Sequence, residues 1–400
     1  MTRYLVVFAL FILSMITYID RVCISSAKEP IAASLGLSDS AMGVVFGAFA
    51  LGYAIAQIPS GWFADRFGPR LALAIVVSAW SLLTALTGVA RGFTSLVAIR
   101  FLFGIGEAGA FPGAARTFYN WLSPAERGLA NGILFSGSRI GAAISFPLLA
   151  WMLARTGWRM SFVWLGVIGL AWTGFWLLWF RDHPSKPAER PQQSHSPQDG
   201  FWSVFRSRGM ALAMAQYFSS NFTFFICLSW MHPYLKQHYQ LNAAEAAAYS
   251  MAPLVLGATA QWTAGAMVDI LYRRPALRSW SRRLPAMLGF ALAAAGMLAL
   301  TRAATPLAAV VCFTLAAFGA DLTISPSWAF CMDIGGKNSG AVSGAMNMLG
   351  NFGSFVSATT FPVLYQYTGG ASAYFLLAAV LNLISIACWS RMRSLRWPSA

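Results

Sequence analysis

Apolar runs of helical length repeat along the chain, broken only by short clusters of Gly, Pro, Ser and charge. About 20 apolar residues is what one helical crossing of a bilayer requires. Inside lipid the backbone must satisfy its own hydrogen bonds, so a chain of this kind crosses as helices unless it closes into a barrel. The ten-residue alternation of a membrane barrel competes nowhere with these runs. They fall at residues 4 to 27, 41 to 64, 71 to 90, 95 to 118, 128 to 154, 159 to 181, 209 to 235, 243 to 271, 284 to 302, 306 to 331, 339 to 365 and 371 to 390. The pattern predicts an all-α membrane protein with twelve transmembrane helices. With 58% hydrophobic residues, 10% charged and a mean hydropathy of +0.59, the chain lies outside the range of soluble domains.

The net charge of +15 does not signal nucleic acid, because the basic residues sit in short loops and form no continuous stripe. They set topology instead. If the N-terminus is cytoplasmic, 19 Lys and Arg fall in inside loops and tails and six outside, so both termini are expected in the cytoplasm. The first 19 residues resemble a signal peptide, but Asp20 and Arg21 follow at once with no clear cleavage site, and the stretch reads as a retained first span. Five cysteines are scattered through apolar segments without C-x-x-C spacing or a histidine cluster, which predicts neither a metal site nor a disulfide framework. No nucleophile motif, phosphate loop or nucleotide fingerprint supports an enzyme, and no cofactor is implied.

The two halves echo each other. Gly61 and Asp65 after the second run recur as Gly265 and Asp269 after the eighth. Gly132 and Gly141 match Gly344 and Gly353 at one common offset, and Glu107 and Asp321 each stand five residues before a proline. Parallel duplication of a six-helix unit accounts for all of these matches. It predicts an N-terminal bundle over 1–181, a Pro-, Ser- and Gln-rich cytoplasmic linker over 182–208 and a C-terminal bundle over 209–400.

Charges inside apolar runs are expensive, and they persist where they face protein or water. Arg21, Arg100 and Arg139 are the only Lys or Arg residues lying more than two residues inside the ends of the predicted spans. Arg100 and Glu107, seven residues apart, share a helix face. A carrier of a carboxylate-bearing solute needs a fixed positive charge, and arginine stays ionised and grips carboxylate bidentately. A proton-coupled carrier also needs a group whose charge can change, and Asp20, Glu107 and Asp321 fit that role. The alternative for Arg100 and Glu107 is a purely structural ion pair. Arg139 either binds a more highly charged solute or neutralises Asp321.

Two six-helix halves, a long central loop and Gly-x-x-x-Asp65-Arg66-x-Gly-x-Arg70 resemble the major facilitator superfamily. Within it, Tyr18-Ile-Asp20-Arg21, Gly52-Tyr53 through Gln57 to Gly61, Arg100 through Glu107 with Phe111-Pro112, and Glu126-Arg127-Gly128 resemble the anion:cation symporter family. That family includes galactonate, glucarate, hexuronate and phthalate-type permeases, sialin and vesicular glutamate carriers. The resemblance implies a proton-coupled importer of a small organic anion, such as a sugar acid or uronate, in a bacterial inner membrane, working as a monomer by alternating access. Its partners are the anion, protons and the lipid bilayer.

It further implies that Asp20 and Glu107 respond to protons, that Arg21 and Arg100 lie near the substrate, and that Tyr18, Tyr53 and Gln57 line the same cavity. In the second half Gln216, Ser325, Trp328, Asn347 and Asn351 sit where such carriers present polar and aromatic contacts. Asp65, Arg66 and Arg70, with Glu126 and Arg127, are expected at a cytoplasmic gate. Arg139 and Asp321 depart from the sugar-acid pattern. Tyr53 and Gln57 serve equally as interhelical glue, and a proton-driven exporter or exchanger on the same fold is the alternative function.

Overall fold

The computed structural model describes residues 3–184 and 201–392, and regular structure among them is helical throughout. The first helices are α1 (Arg3–Ser26), α2 (Lys28–Leu35), α3 (Asp39–Phe67), α4 (Pro69–Thr87), α5 (Phe93–Glu107), α6 (Ala110–Trp121) and α7 (Arg127–Trp179). After them come α8 (Phe201–Phe205), α9 (Arg208–Ser229), α10 (Met231–His238), α11 (Ala243–Arg273) and α12 (Arg283–Leu300). The chain ends with α13 (Pro306–Leu322), α14 (Ile324–Gly335), α15 (Ser339–Thr368) and α16 (Ser372–Arg391). Local signals set the boundaries. Ser38 accepts the Ala41 N–H to cap α3, Asn242 and Glu245 cap α11 reciprocally, and Pro69 opens α4 after Gly68 at φ 85°.

Nine stretches of the described residues are long and apolar enough to cross a membrane, or ten if α9 and α10, bent by 45°, make one span. Two of the nine exceed a single crossing. At 1.5 Å per residue the 53-residue α7 is about 80 Å long, against a hydrocarbon core of about 30 Å. It turns at Gly157, whose φ of 70° only glycine adopts cheaply. The 63-residue run Pro306–Thr368 is interrupted between α13 and α14 and again at Gly336–Asn338.

The fourth and tenth expected runs are each broken rather than continuous. α5 stops at Glu107 and α13 stops one residue after Asp321. Pro112 has no N–H for the Ala108 carbonyl, and Pro326 has none for that of Leu322, so both helices pause just beyond their acidic residue.

Contacts divide the described chain into two compact units. The first takes residues 3–122, 137–184 and 335–345. Within it α3 and α5 meet backbone to backbone: a Cβ on Gly52 would strike the Phe101 carbonyl, and one on Gly104 that of Phe49. Gly137 and Gly141 bring α7 within 2.6 Å, measured from such a Cβ, of the Phe11 and Met15 carbonyl oxygens of α1. Gly61 of α3 packs on Gly340, and Gly344 packs on the Gln57 carbonyl at 2.5 Å by the same measure.

The second unit takes residues 123–136, 201–334 and 346–392. There Gly128 packs on Gly265, Gly132 on the Gln261 carbonyl and Gly353 on that of Phe218, the counterparts of the first unit's contacts. Trp328, Trp389, Tyr374 and Phe222 fill its core. Of the expected linker, residues 185–200 lie outside the described residues. Asp182, at its start, accepts the Arg70 N–H at 2.7 Å.

Candidate functional site

Three helices of the first unit carry four charges to one place. Asp20 and Arg21 come from α1, Arg100 and Glu107 from α5, and α4 adds Trp80. Asp20, Arg100 and Glu107 are 1%, 2% and 0% exposed, while the Arg21 side chain keeps 19%. Arg21 Nε donates to Glu107 Oε1, closing an ion pair between α1 and α5. The Trp80 indole N–H donates to Asp20 Oδ2 at 3.1 Å. Gly106 admits that indole by bringing α5 against the Trp80 backbone, 3.2 Å from where a Cβ would stand.

The two arginines are not equivalent. Arg21 lies over the rings of Tyr18, Phe49 and Tyr53 at 5.1, 5.4 and 4.5 Å, and its carboxylate partner is already in place. Arg100 lies over Phe49 and Phe103 at 5.0 and 4.5 Å, and no hydrogen-bond acceptor among the described residues engages it. Ring faces return about 2 kcal/mol or somewhat more to a buried cation, less than the several kcal/mol that removing it from water costs. Asp20 Oδ1, Arg21 Nη2 and Glu107 Oε2 are likewise buried without a partner among the described residues. With all four groups ionised the cluster is neutral overall but leaves one guanidinium open, and a buried open cation is suited to an anion.

Arg139 is buried on α7 in the same unit, and Gln57 is buried on α3 beside Gly344. Asp65, at the end of α3, accepts from the Gly340 and Ala341 N–H groups at 2.9 and 2.8 Å, the first turn of α15, and stands 3.8 Å from Arg116. Arg116 also donates to the Lys337 carbonyl at 2.9 Å. Arg66 and Arg70 do not join Asp65: Arg66 lies over Trp62 and Phe67, while Arg70 holds Asp182 and the Leu177 carbonyl.

The second unit repeats the device. Asp269 accepts from Gly128 and Leu129 N–H at 2.8 Å each, on the first turn of α7. Arg127 donates to Asp333 at 3.0 Å, and Arg282 holds the other oxygen of Asp333 at 3.0 Å, while Glu126 accepts from Ser123. Asp321 accepts from Gln261 at 3.0 Å. Gln216 spends its amide on Ala213, Ser327 and Trp389, Ser325 donates to the Gly128 carbonyl, and Trp328 donates to the Tyr217 hydroxyl. Asn351 donates to the Asn347 carbonyl at 2.8 Å.

The sequence reading missed Trp80, Arg116, Arg282, Asp333, Gln261, Phe49 and Phe103. One of them left a trace in the repeat: Gln261 stands four residues before Gly265 as Gln57 stands four before Gly61. The others had no local signal.

A family model described as Major Facilitator Superfamily matches residues 10–358. The chain is 33% identical over 394 residues to a probable sulfoacetate transporter, SauU, of Cupriavidus necator, covering 95% of this chain and 91% of that relative. It is 29% identical to a hexuronate transporter of Bacillus subtilis, covering 95% and 92%, and 29% identical to a probable L-galactonate transporter of Escherichia coli, covering 93% and 84%. Among solved structures, the proton:xylose symporter XylE superposes with a TM-score of 0.78 at 14% identity over 98% of this chain and 96% of that one, a likeness of fold alone.

Proposed function

The chain belongs to the Major Facilitator Superfamily, and on that premise we propose that it is a secondary transporter that carries a small organic anion inward with protons by alternating access. What supports this reading is the buried guanidinium of Arg100, which finds ring faces but no hydrogen-bond acceptor among the described residues, beside an arginine already held by Glu107. Relatives named for sulfoacetate, hexuronate and galactonate transport share a carboxylate as the common chemistry of their solutes. Arg21 and Arg100 bind the anion, with Tyr18, Tyr53, Gln57 and Arg139 around them. Gln216, Ser325, Trp328, Asn347 and Asn351 shape the second half's contribution.

Asp20 and Glu107 take up the protons, with Asp321 as a third acid. A proton on Glu107 removes its charge and frees Arg21 for the anion, and losing that proton re-forms the ion pair and expels the anion. Coupling requires these acids to titrate differently in the two access states. Asp65 and Asp269, with Arg116, Glu126, Arg127, Arg282 and Asp333, act as cytoplasmic latches; Arg66 and Arg70 belong to the same face. Twelve crossings, both termini in the cytoplasm, an inner-membrane setting and a monomeric unit complete the reading.

The test is uptake of a labelled organic anion into proteoliposomes under an imposed proton gradient. Stimulation by an inward gradient supports import. An opposite dependence supports export or exchange. Glu107→Gln is expected to abolish gradient-driven accumulation while leaving some counterflow, and undiminished accumulation in that variant sinks the coupling scheme.

A further inference from the structure

The part of α7 beyond Gly157 runs antiparallel to α1 and α4. Arg159, at its start, donates to the Gly88 and Ala90 carbonyls at 3.0 and 2.8 Å, past the end of α4, and Trp176 donates to the Arg70 carbonyl at 3.2 Å, at the start of α4. Between them Trp172 donates to the Ala9 carbonyl of α1 at 3.1 Å. Both residues of that contact are buried. Toward the N-terminal end of α1 a groove of about 350 Å³ opens between the two helices.

Leu5, Phe8 and Ile12 line it from α1, and Trp172, Phe175 and Trp179 from α7. On each helix the three are spaced three and four residues apart, so each helix presents one stripe. Phe175 and Trp179 stack at 5.4 Å and make one wall flat. Leu5, Phe8 and Phe175 remain 49%, 58% and 51% exposed, so the protein itself does not fill the groove. Leu5 to Ile12 covers about 10 Å of helix, most of the roughly 15 Å depth of one leaflet. The dimensions and the lining suit one acyl chain.

Hydrocarbon alone selects nothing in a bilayer, because lipid tails are as apolar as these walls. The selective element is charge at the end of the groove. Arg3 opens α1, is exposed and lies over the Tyr4 ring at 5.7 Å. Arg181 follows α7 by two residues; its side chain is exposed while its carbonyl accepts the Trp121 indole N–H at 3.0 Å, which fixes the backbone there. Counted from the contact of Trp172 with Ala9, Arg3 and Arg181 lie six and nine residues toward the same end, about 9 and 13 Å along the helices. Arg70 joins them through the Leu177 carbonyl, and the neighbouring acid, Asp182, accepts the Arg70 N–H at 2.7 Å.

We infer that the groove between α1 and α7 is a binding site for one anionic phospholipid, with an acyl chain along the Phe8 and Phe175 stripes and the headgroup phosphate on Arg3 and Arg181. Guanidinium groups grip phosphate oxygens in pairs, and basic groups at the end of an apolar cleft between spans are what an anionic headgroup requires. The site is separate from the one proposed for the transported anion, since none of Asp20, Arg21, Arg100 and Glu107 lines it.

The experiment uses the full-length protein in nanodiscs of phosphatidylglycerol and phosphatidylcholine. Native mass spectrometry counts the lipids retained on release, and a phosphatidylglycerol with a photoreactive acyl chain maps the groove. One phosphatidylglycerol per chain is expected to be retained, preferred over phosphatidylcholine by about fivefold for each of the two arginines. Cross-links are expected to concentrate on the Leu5–Ile12 and Trp172–Trp179 stretches. Arg3→Gln with Arg181→Gln should abolish the preference without moving the thermal midpoint in detergent, because both side chains are exposed. Leu5→Trp, which fills the groove and leaves the arginines in place, should remove the cross-links. Equal retention of the two lipids with cross-links spread over the apolar surface means annular lipid only and overturns the proposal. A preference that survives the double arginine variant places the headgroup elsewhere and overturns it too. So does a dimer whose separation is needed before the groove can be cross-linked, since a second copy of the chain is then the occupant.

Discussion

The carboxylates of Asp65 and Asp269 lend themselves to a direct measurement. The first N–H groups of a helix have no acceptor within it, so the Gly340 and Ala341 amides depend on Asp65, and those of Gly128 and Leu129 depend on Asp269. Asp65→Ala removes two charge-assisted bonds at 2.9 and 2.8 Å and the Arg116 attraction at 3.8 Å. At about 1.5 kcal/mol for each bond, with a few tenths for the helix dipole and about half of the sum recovered by water, the net loss is roughly 2 kcal/mol. Hydrogen exchange at the start of α15 should then accelerate about 30-fold. Asp65→Asn, which keeps one acceptor oxygen, should give a smaller change. Asp269→Ala should do the same at the start of α7 and leave α15 alone, because the two clamps share no partner. Unchanged protection of Gly340 and Ala341 in Asp65→Ala would refute the claim that the carboxylate holds that turn.

Trp80→Phe keeps a ring but removes the one hydrogen bond that reaches Asp20 among the described residues. The dependence of uptake on pH is expected to differ between Trp80→Phe and the wild-type protein; a uniform loss of rate at every pH would reduce Trp80 to packing. Asp333→Asn takes the charge from between Arg127 and Arg282, both buried, and removing one member of a buried ionic set costs about 3–5 kcal/mol. A lowered thermal midpoint in detergent is the expected result, partly restored by adding Arg282→Met.

Much of the site was legible because an apolar run makes each charge conspicuous. Asp20, Arg21, Arg100 and Glu107 stood out on those grounds, and they do lie together. Arg116 and Asp333 did not, because charges near helix ends read as topology and their partners are more than 200 residues away or lie in another helix. Trp80 was one of 16 tryptophans in a chain where tryptophan is ordinary lining. The pauses after Glu107 and Asp321 were encoded by Pro112 and Pro326, yet a window scan for apolar length averages across them. Ser325, Gln216 and Trp328 were picked out only by the family resemblance, and their hydrogen bonds to Gly128, Trp389 and Tyr217 depend on tertiary packing.

The repeat separates structure from function more sharply than either half alone. Backbone approaches are kept at matched positions: Gly344 on Gln57 and Gly132 on Gln261, Gly340 on Gly61 and Gly128 on Gly265. The charges are not kept. At the offset that relates Glu107 to Asp321, Arg100 faces Thr314, whose hydroxyl is buried and finds no partner among the described residues. In the proposed scheme the fixed cation for the solute is therefore supplied by one half only. Thr314→Val exchanges an unsatisfied hydroxyl for a methyl of the same shape, and it should leave stability unchanged or raise it by about 1 kcal/mol, with transport intact. Arg100→Gln changes the matching position and should abolish solute binding, with its thermal midpoint in the absence of solute measured alongside to show that the protein still folds. If the two variants behaved alike in a thermal-shift titration with L-galactonate, the buried cation would have no special role and the charge argument would fail at its base.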